Sequence, residues 1–181
     1  IEEYSRQCTL KERSKLFNDL AWVYYRMGQF DRSWQNCIKV QKLVDKKELY
    51  SELAQSYNLM GTINWNRSKY EEAIFCHSKC LNLREQSNDR AGIASSFNNL
   101  GLVYRSSGKF AEAIDCFSKS MKIKQKINNI PGLAAAYLNL SLVYLDREDY
   151  DRALENSGIA CSYAEKTGNQ ELLAQAYGTI G

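Results

Sequence analysis

The chain has one histidine, His77, which stands beside Cys76 and three residues before Cys80. On a helix Cys76 and Cys80 are one turn apart, close enough to begin a metal site. A structural zinc ion takes four ligands, and no second pair stands in register with this one. Forty residues further on, the positions of His77 and Cys80 hold Phe117 and Ser120, so the cluster reads as packing residues. His77 is also the one candidate base for a Ser-His-Asp arrangement, and the same register places it in a helix-helix contact. Gly-x-Gly does not occur, so there is no glycine-rich phosphate loop. Acidic residues are scattered over polar helix faces rather than paired toward a cavity. No catalytic residue, cofactor or metal is expected.

The elements that position these residues follow a fixed period. Phe97-Asn98-Asn99-Leu100-Gly101 and Tyr104, then Gly108, Phe110 and Ala113, recur forty residues earlier as Tyr57, Met60-Gly61, Tyr70 and Ala73. They recur again as Phe17, Leu20-Ala21, Tyr24, Gly28, Phe30 and Ser33, and as Tyr137, Leu140-Ser141, Tyr144, Tyr150 and Ala153. A fixed period without insertions makes each unit a copy of one supersecondary element, stacked in a row. Each unit reads as two helices. In the third they run from about 91 to 106 and from about 111 to 127, with apolar residues at i, i+3, i+4 and i+7. Gly108 stops the first, and Asn128-Asn129 stops the second. Pro131 then opens the next helix, where its missing N–H costs little. No stretch alternates with period two, so no strands are expected.

The array divides as a preceding unit's tail (1–12), repeats at 13–52, 53–92, 93–132 and 133–172, and the start of a truncated fifth (173–181). Both ends are read as cut in mid-repeat, leaving uncapped faces and at most weak self-association of a monomer.

Composition narrows the function. Net charge is +3, from 24 basic and 21 acidic side chains, too balanced for a nucleic-acid binder. Lys119, Lys122, Lys124 and Lys126 are the nearest approach to a basic stripe and read as a solvated outer face. The most apolar stretch, Pro131 to Leu145, contains Asn139 and Ser141 and reads as a buried helix rather than a membrane span. Of the six cysteines, Cys37, Cys76, Cys80, Cys116 and Cys161 fall on predicted helices and follow the repeat, which favours reduced thiols and a cytoplasmic setting.

The pattern resembles the tetratricopeptide repeat. That family carries an aromatic, Leu-Gly and Tyr on its first helix, then small, aromatic and small residues on its second. Here those are Phe97, Leu100-Gly101, Tyr104, Ala113, Phe117 and Ser120. The forty-residue unit is similar to those of spindle-orientation adaptors of the Pins/LGN type, kinesin light chains and repeat regions of bacterial regulators. The resemblance implies an all-α fold, a right-handed superhelix of antiparallel helix pairs whose first helices line a concave face.

By register, the residues that would see a ligand are Asn18, Trp22 and Tyr25, then Asn58, Thr62 and Trp65, then Asn98, Leu102 and Arg105. Asn18, Asn58 and Asn98 recur forty apart, and an asparagine can both donate to and accept from a peptide unit. The competing reading is that they bridge neighbouring helices. Trp22, Tyr25 and Trp65 would anchor apolar groups, and Arg105 would fork onto a carboxylate. Leu138, Leu142 and Leu145 form an apolar stripe read as exposed. The expected function is a protein-interaction scaffold that holds an extended acidic or amphipathic peptide, or a helix, of a partner. The alternative is a regulatory or sensor segment of a larger signalling protein.

Overall fold

The computed structural model describes residues 9–43 and 49–179, and among these the chain is helical throughout. The helices are α1 (Leu10–Arg26), α2 (Phe30–Leu43), α3 (Tyr50–Asn66), α4 (Tyr70–Gln86), α5 (Arg90–Ser106), α6 (Phe110–Lys126), α7 (Ile130–Asp146), α8 (Tyr150–Thr167) and α9 (Gln170–Gly178). First helices begin at 10, 50, 90, 130 and 170, so the forty-residue period of the sequence is a period of structure. Consecutive helices pack as antiparallel pairs: α1 with α2, α3 with α4, α5 with α6, and α7 with α8. The chain forms two compact units, residues 1–89 and 90–181. Cys8 and the first eight residues of the expected tail of a preceding unit (1–12) lie outside the described residues.

Local chemistry explains where the helices start and stop. Thr9 and Glu12 form a reciprocal capping box at the start of α1, and Asn129, Asp149 and Asn169 accept from the first turns of α7, α8 and α9. Pro131 sits in the first turn of α7, as its lost N–H demands. The first four first helices, α1, α3, α5 and α7, end in the same turn, with a left-handed residue at 28, 68, 108 and 148. In α5 the Gly108 N–H donates to Arg105 O and the Lys109 N–H to Tyr104 O, which uses carbonyls the helix leaves unpaired. Two of the four turns lack glycine, yet Ser68 (φ 58°) and Glu148 (φ 60°) take the same conformation.

Within a pair, helices meet where small residues allow. Ser33, Ala73, Ala113 and Ala153 on the second helices are all buried. So are Val40, Cys80, Ser120 and Ala160. Where serine fills such a slot, its hydroxyl donates to a backbone carbonyl of another helix: Ser33 to Ala21 O at 2.7 Å, Ser56 to Cys37 O at 3.0 Å, Ser120 to Ala94 O at 2.7 Å. A buried hydroxyl thus keeps a partner, which an apolar slot would otherwise deny it. Gly101 faces the Phe117 ring so closely that an added Cβ would lie 2.7 Å from it, and at Gly61 a Cβ would lie 2.6 Å from the His77 ring.

The aromatics at 17, 57, 97 and 137 are half-buried; Lys39 lies over Phe17 and Lys119 over Phe97, at 5.2 and 5.7 Å. Two expectations need correction. Lys124 is buried rather than solvated, and desolvation brings its pKa down to about 8. Leu138 is buried in a cluster with Ala160, Cys161, Leu172 and Ala176, because α9 packs over that face.

These contacts give opposite signs for two glycine substitutions. Gly101→Ala forces its methyl into the Phe117 ring and should destabilise by about 1–3 kcal/mol. Gly158→Ala, mid-helix in α8 with nothing within 4 Å of the new methyl, should stabilise by roughly 1 kcal/mol. Urea denaturation of the two variants beside the parent chain checks both signs.

Candidate functional site

The candidate ligand stripe lies on first helices, and within each compact unit two first helices pack together, α1 with α3 and α5 with α7. In the first unit, α1 carries Asn18, Trp22 and Tyr25, and α3 carries Asn58, Thr62 and Trp65. Asn18 is buried, and its Nδ2 donates to Glu52 O of α3 at 2.9 Å. It therefore bridges two helices, while its Oδ1 is buried without a partner. Trp22 is half exposed, at 51%, and stacks on Tyr25 with ring centroids 5.5 Å apart. Tyr25 is fixed from two sides: its ring lies 5.7 Å from that of Phe30, and its hydroxyl accepts from Asn66 Nδ2 at 2.9 Å. Arg26 places its guanidinium 5.9 Å from the Trp22 ring. Asn58, Thr62 and Trp65 are half-buried, and the Thr62 hydroxyl donates back to Asn58 O at 3.0 Å.

In the second unit the stripe runs along α5 and α7. Asn98 Oδ1 accepts from Asn139 Nδ2 at 3.1 Å. Leu102 is half-buried against the cluster around Phe117 and Val143. Arg105 makes the fork expected of it, but onto Asp146 of α7, with Nε and a terminal nitrogen 2.6 and 3.2 Å from the two carboxylate oxygens. The structure thus brings Trp22, Tyr25 and Asn66 together in one unit, and Arg105 and Asp146 in the other. It uses Asn18 and Asn98 as bridges between helices. The missed signal was a spacing of forty-one: Tyr25–Asn66, Asn98–Asn139 and Arg105–Asp146 each join a residue to the one next to its own repeat equivalent.

The Cys-His cluster is structural. Cys37, Cys76, Cys80, Cys116 and Cys161 are free thiols and buried. Desolvation pushes Cys37 up to about 12 and Cys76 and Cys116 up to about 11, so these thiols stay protonated and inert. Among the described residues, no group of three His, Cys, Asp or Glu side chains could hold a metal ion. Nor is any helix among them long and apolar enough to cross a membrane. His77 packs against Gly61 with its Nδ1 buried and unpartnered. Desolvation, aided by the Arg84 charge, brings its pKa down to about 4.

Sequence reasoning also missed a cleft in the first unit. It has a volume of about 600 Å3 and lies between α2, α3 and α4, walled by Trp34, Tyr57, Met60 and Phe75. Phe75 is 58% exposed.

Comparison with known proteins bears on the fold. Residues 52–126 match the tetratricopeptide repeat family. No curated protein sequence matches the chain. Among solved structures, aspartyl phosphate phosphatase F from Bacillus subtilis is similar at 21% identity and a TM-score of 0.88, over 94% of this chain and 45% of that one. A STAND signal-transduction ATPase with a tetratricopeptide repeat sensor, from Pyrococcus horikoshii, is similar at 16% identity and a TM-score of 0.89, over 99% and 28%. A Rap protein complexed with competence and sporulation factor is similar at 19% identity and a TM-score of 0.80, over 99% and 55%. At these identities the likeness is one of fold. The chain spans less than two thirds of each of these proteins.

The His77 environment makes stability depend on pH. Folded, the ring stays neutral until about pH 4; unfolded, it protonates near 6.5. Its contribution is therefore complete above pH 6.5 and is lost as pH falls toward 4, by about 3 kcal/mol in all. His77→Phe, which installs the residue found at 117, should remove that part of the acid sensitivity. Thermal melts of both proteins at pH 7.5 and 5 read the difference directly.

Proposed function

We propose, from the premise that this chain belongs to the tetratricopeptide repeat family, that it is a protein-binding scaffold that takes a peptide or helical segment of a partner along its first helices. The observation that carries this reading is Trp22. A tryptophan with half its surface in water, stacked on Tyr25 and flanked by Arg26, presents a large apolar face at little entropic cost. Tyr25 cannot swing away, because Asn66 and Phe30 hold it. The anchor is therefore ordered before any partner arrives, which lowers the cost of binding.

Of the nine residues assigned to partner binding, Trp22, Tyr25, Thr62, Trp65 and Leu102 supply apolar or hydroxyl contacts. Asn58, which also has contacts within the chain, is assigned a peptide contact in addition to them. Asn18, Asn98 and Arg105 act in this reading by setting the spacing between first helices, since their polar groups are bonded within the chain. An acidic segment fits less well than an amphipathic one, because the guanidinium expected to receive it is already paired with Asp146.

A second reading is supported by length. The chain corresponds to 28% of an ATPase whose tetratricopeptide repeats are described as a sensor, and to 45% of a phosphatase. A sensor segment of a larger regulatory protein would use the same face on a partner or on its own chain.

Selection from a random peptide display library against the whole chain tests the scaffold reading. Enriched peptides should share an apolar anchor and should bind at least tenfold more weakly to Trp22→Ala by calorimetric titration. Failure to enrich any peptide, or equal affinity for Trp22→Ala with its helical circular dichroism intact, would overturn it.

A further inference from the structure

The cleft between α2, α3 and α4 gathers departures from the repeat. Asn64 stands where the other three units have Tyr24, Tyr104 and Tyr144. Glu72 stands where the first and fourth have Arg32 and Arg152. In those two units the tyrosine and arginine form a pair, with the guanidinium 5.7 Å from the Tyr24 ring and 5.6 Å from the Tyr144 ring. The second repeat therefore lacks both the ring and the cation, and has a space of about 600 Å3 lined by Asn64 and Glu72. The third keeps the ring, as Tyr104, beside Glu112.

Two further exchanges meet at the same place. Phe75 replaces Gln35, Asp115 and Glu155, which puts an aromatic ring at a solvent position. Gln41 replaces Leu81, Met121 and Cys161, which puts an amide where the repeat is apolar or carries sulfur. Both amides in the cleft donate to sulfur: Gln41 Nε2 to Met60 Sδ at 3.0 Å, and Asn64 Nδ2 to Cys76 Sγ at 3.8 Å. Sulfur is a weak acceptor, so either amide gains by turning to a better one. Random drift of one position would leave a packing fault. Three exchanges on three helices, at Gln41, Asn64 and Phe75, together with the Glu72 carboxylate that the third repeat shares as Glu112, make an aromatic-walled, carboxylate-rimmed space with the composition of a binding site.

We infer that this cleft binds a small aryl-alkylamine. The ligand's ring occupies the space that a tyrosine fills in the other units, between Trp34, Tyr57 and Phe75. Its ammonium replaces the missing arginine and meets Glu72, and also finds the faces of Trp34 and Tyr57, whereas the Phe75 ring already has the Lys79 ammonium 5.5 Å from its centroid. Lys69 at the rim selects against a second positive charge. A ring carrying a carboxylate instead of an amine meets Glu72 as a like charge and is excluded.

The test uses tryptamine and tyramine as probes, with indole-3-propionate as the control of opposite charge, in calorimetric titrations of the whole chain. Both amines should bind saturably, and the carboxylate at least tenfold more weakly. Asn64→Tyr, and the pair Asn64→Tyr with Glu72→Arg, rebuild the arrangement of the first and fourth units. They should fold at least as stably as the parent and lose tenfold or more of the amine affinity. Phe75→Gln, a surface exchange that leaves the fold untouched, should weaken the amines by a smaller factor. The inference fails if neither amine binds saturably, if indole-3-propionate binds as well, or if the refilled variants keep the parent affinity.

Discussion

The structure depends on how closely a first helix approaches its own second helix. One position on each sets that distance, and the two side chains there divide a fixed volume. Gly101 receives the whole ring of Phe117, and Gly61 the smaller ring of His77. Ala21 and Cys37 share the same cluster with intermediate sizes. In the fourth unit both partners are serines, and Ser157 donates to Ser141 at 3.1 Å. In an interior packed near crystal density, a change at one partner is felt by the other. The remaining small positions of the second helices, and the serines that return hydrogen bonds to backbone, have their spacing from this contact.

The fold was legible because the residues that fix this contact recur without a gap. Glycine opposite an aromatic, and alanine a fixed distance along, have one physical meaning on a helix pair. The left-handed turns were half legible. Gly28 and Gly108 announce them, whereas Ser68 and Glu148 are carried into the same conformation by the bonds around them.

The candidate site was less legible, for a different reason. A polar side chain on the face between first helices can bond a ligand or the adjoining helix, and a recurrence of forty residues is the same for both. Asn18 and Asn98 turned inward because a carbonyl at Glu52 and an amide at Asn139 lie within reach. Arg105 was rightly read as a fork seeking a carboxylate, but Asp146 supplies one from the next first helix. Trp22 stays half exposed, although Tyr25 stacks on it and Arg26 flanks it. The cleft beside α3 escaped notice because it is made of omissions: the significance of Asn64 is the tyrosine that is not there.

The connections between helices carry a consequence for the order of assembly. Each described turn, such as 107–109 or 127–129, is two or three residues long, so every helix pair is complete within about forty residues of where it starts. At a synthesis rate of about 5–20 residues per second, a ribosome adds one such pair every few seconds. Helical hairpins with contacts this local close in about microseconds to milliseconds. Each pair can therefore close before the next is made, and it is the stacking of the following pairs on it that stabilises it.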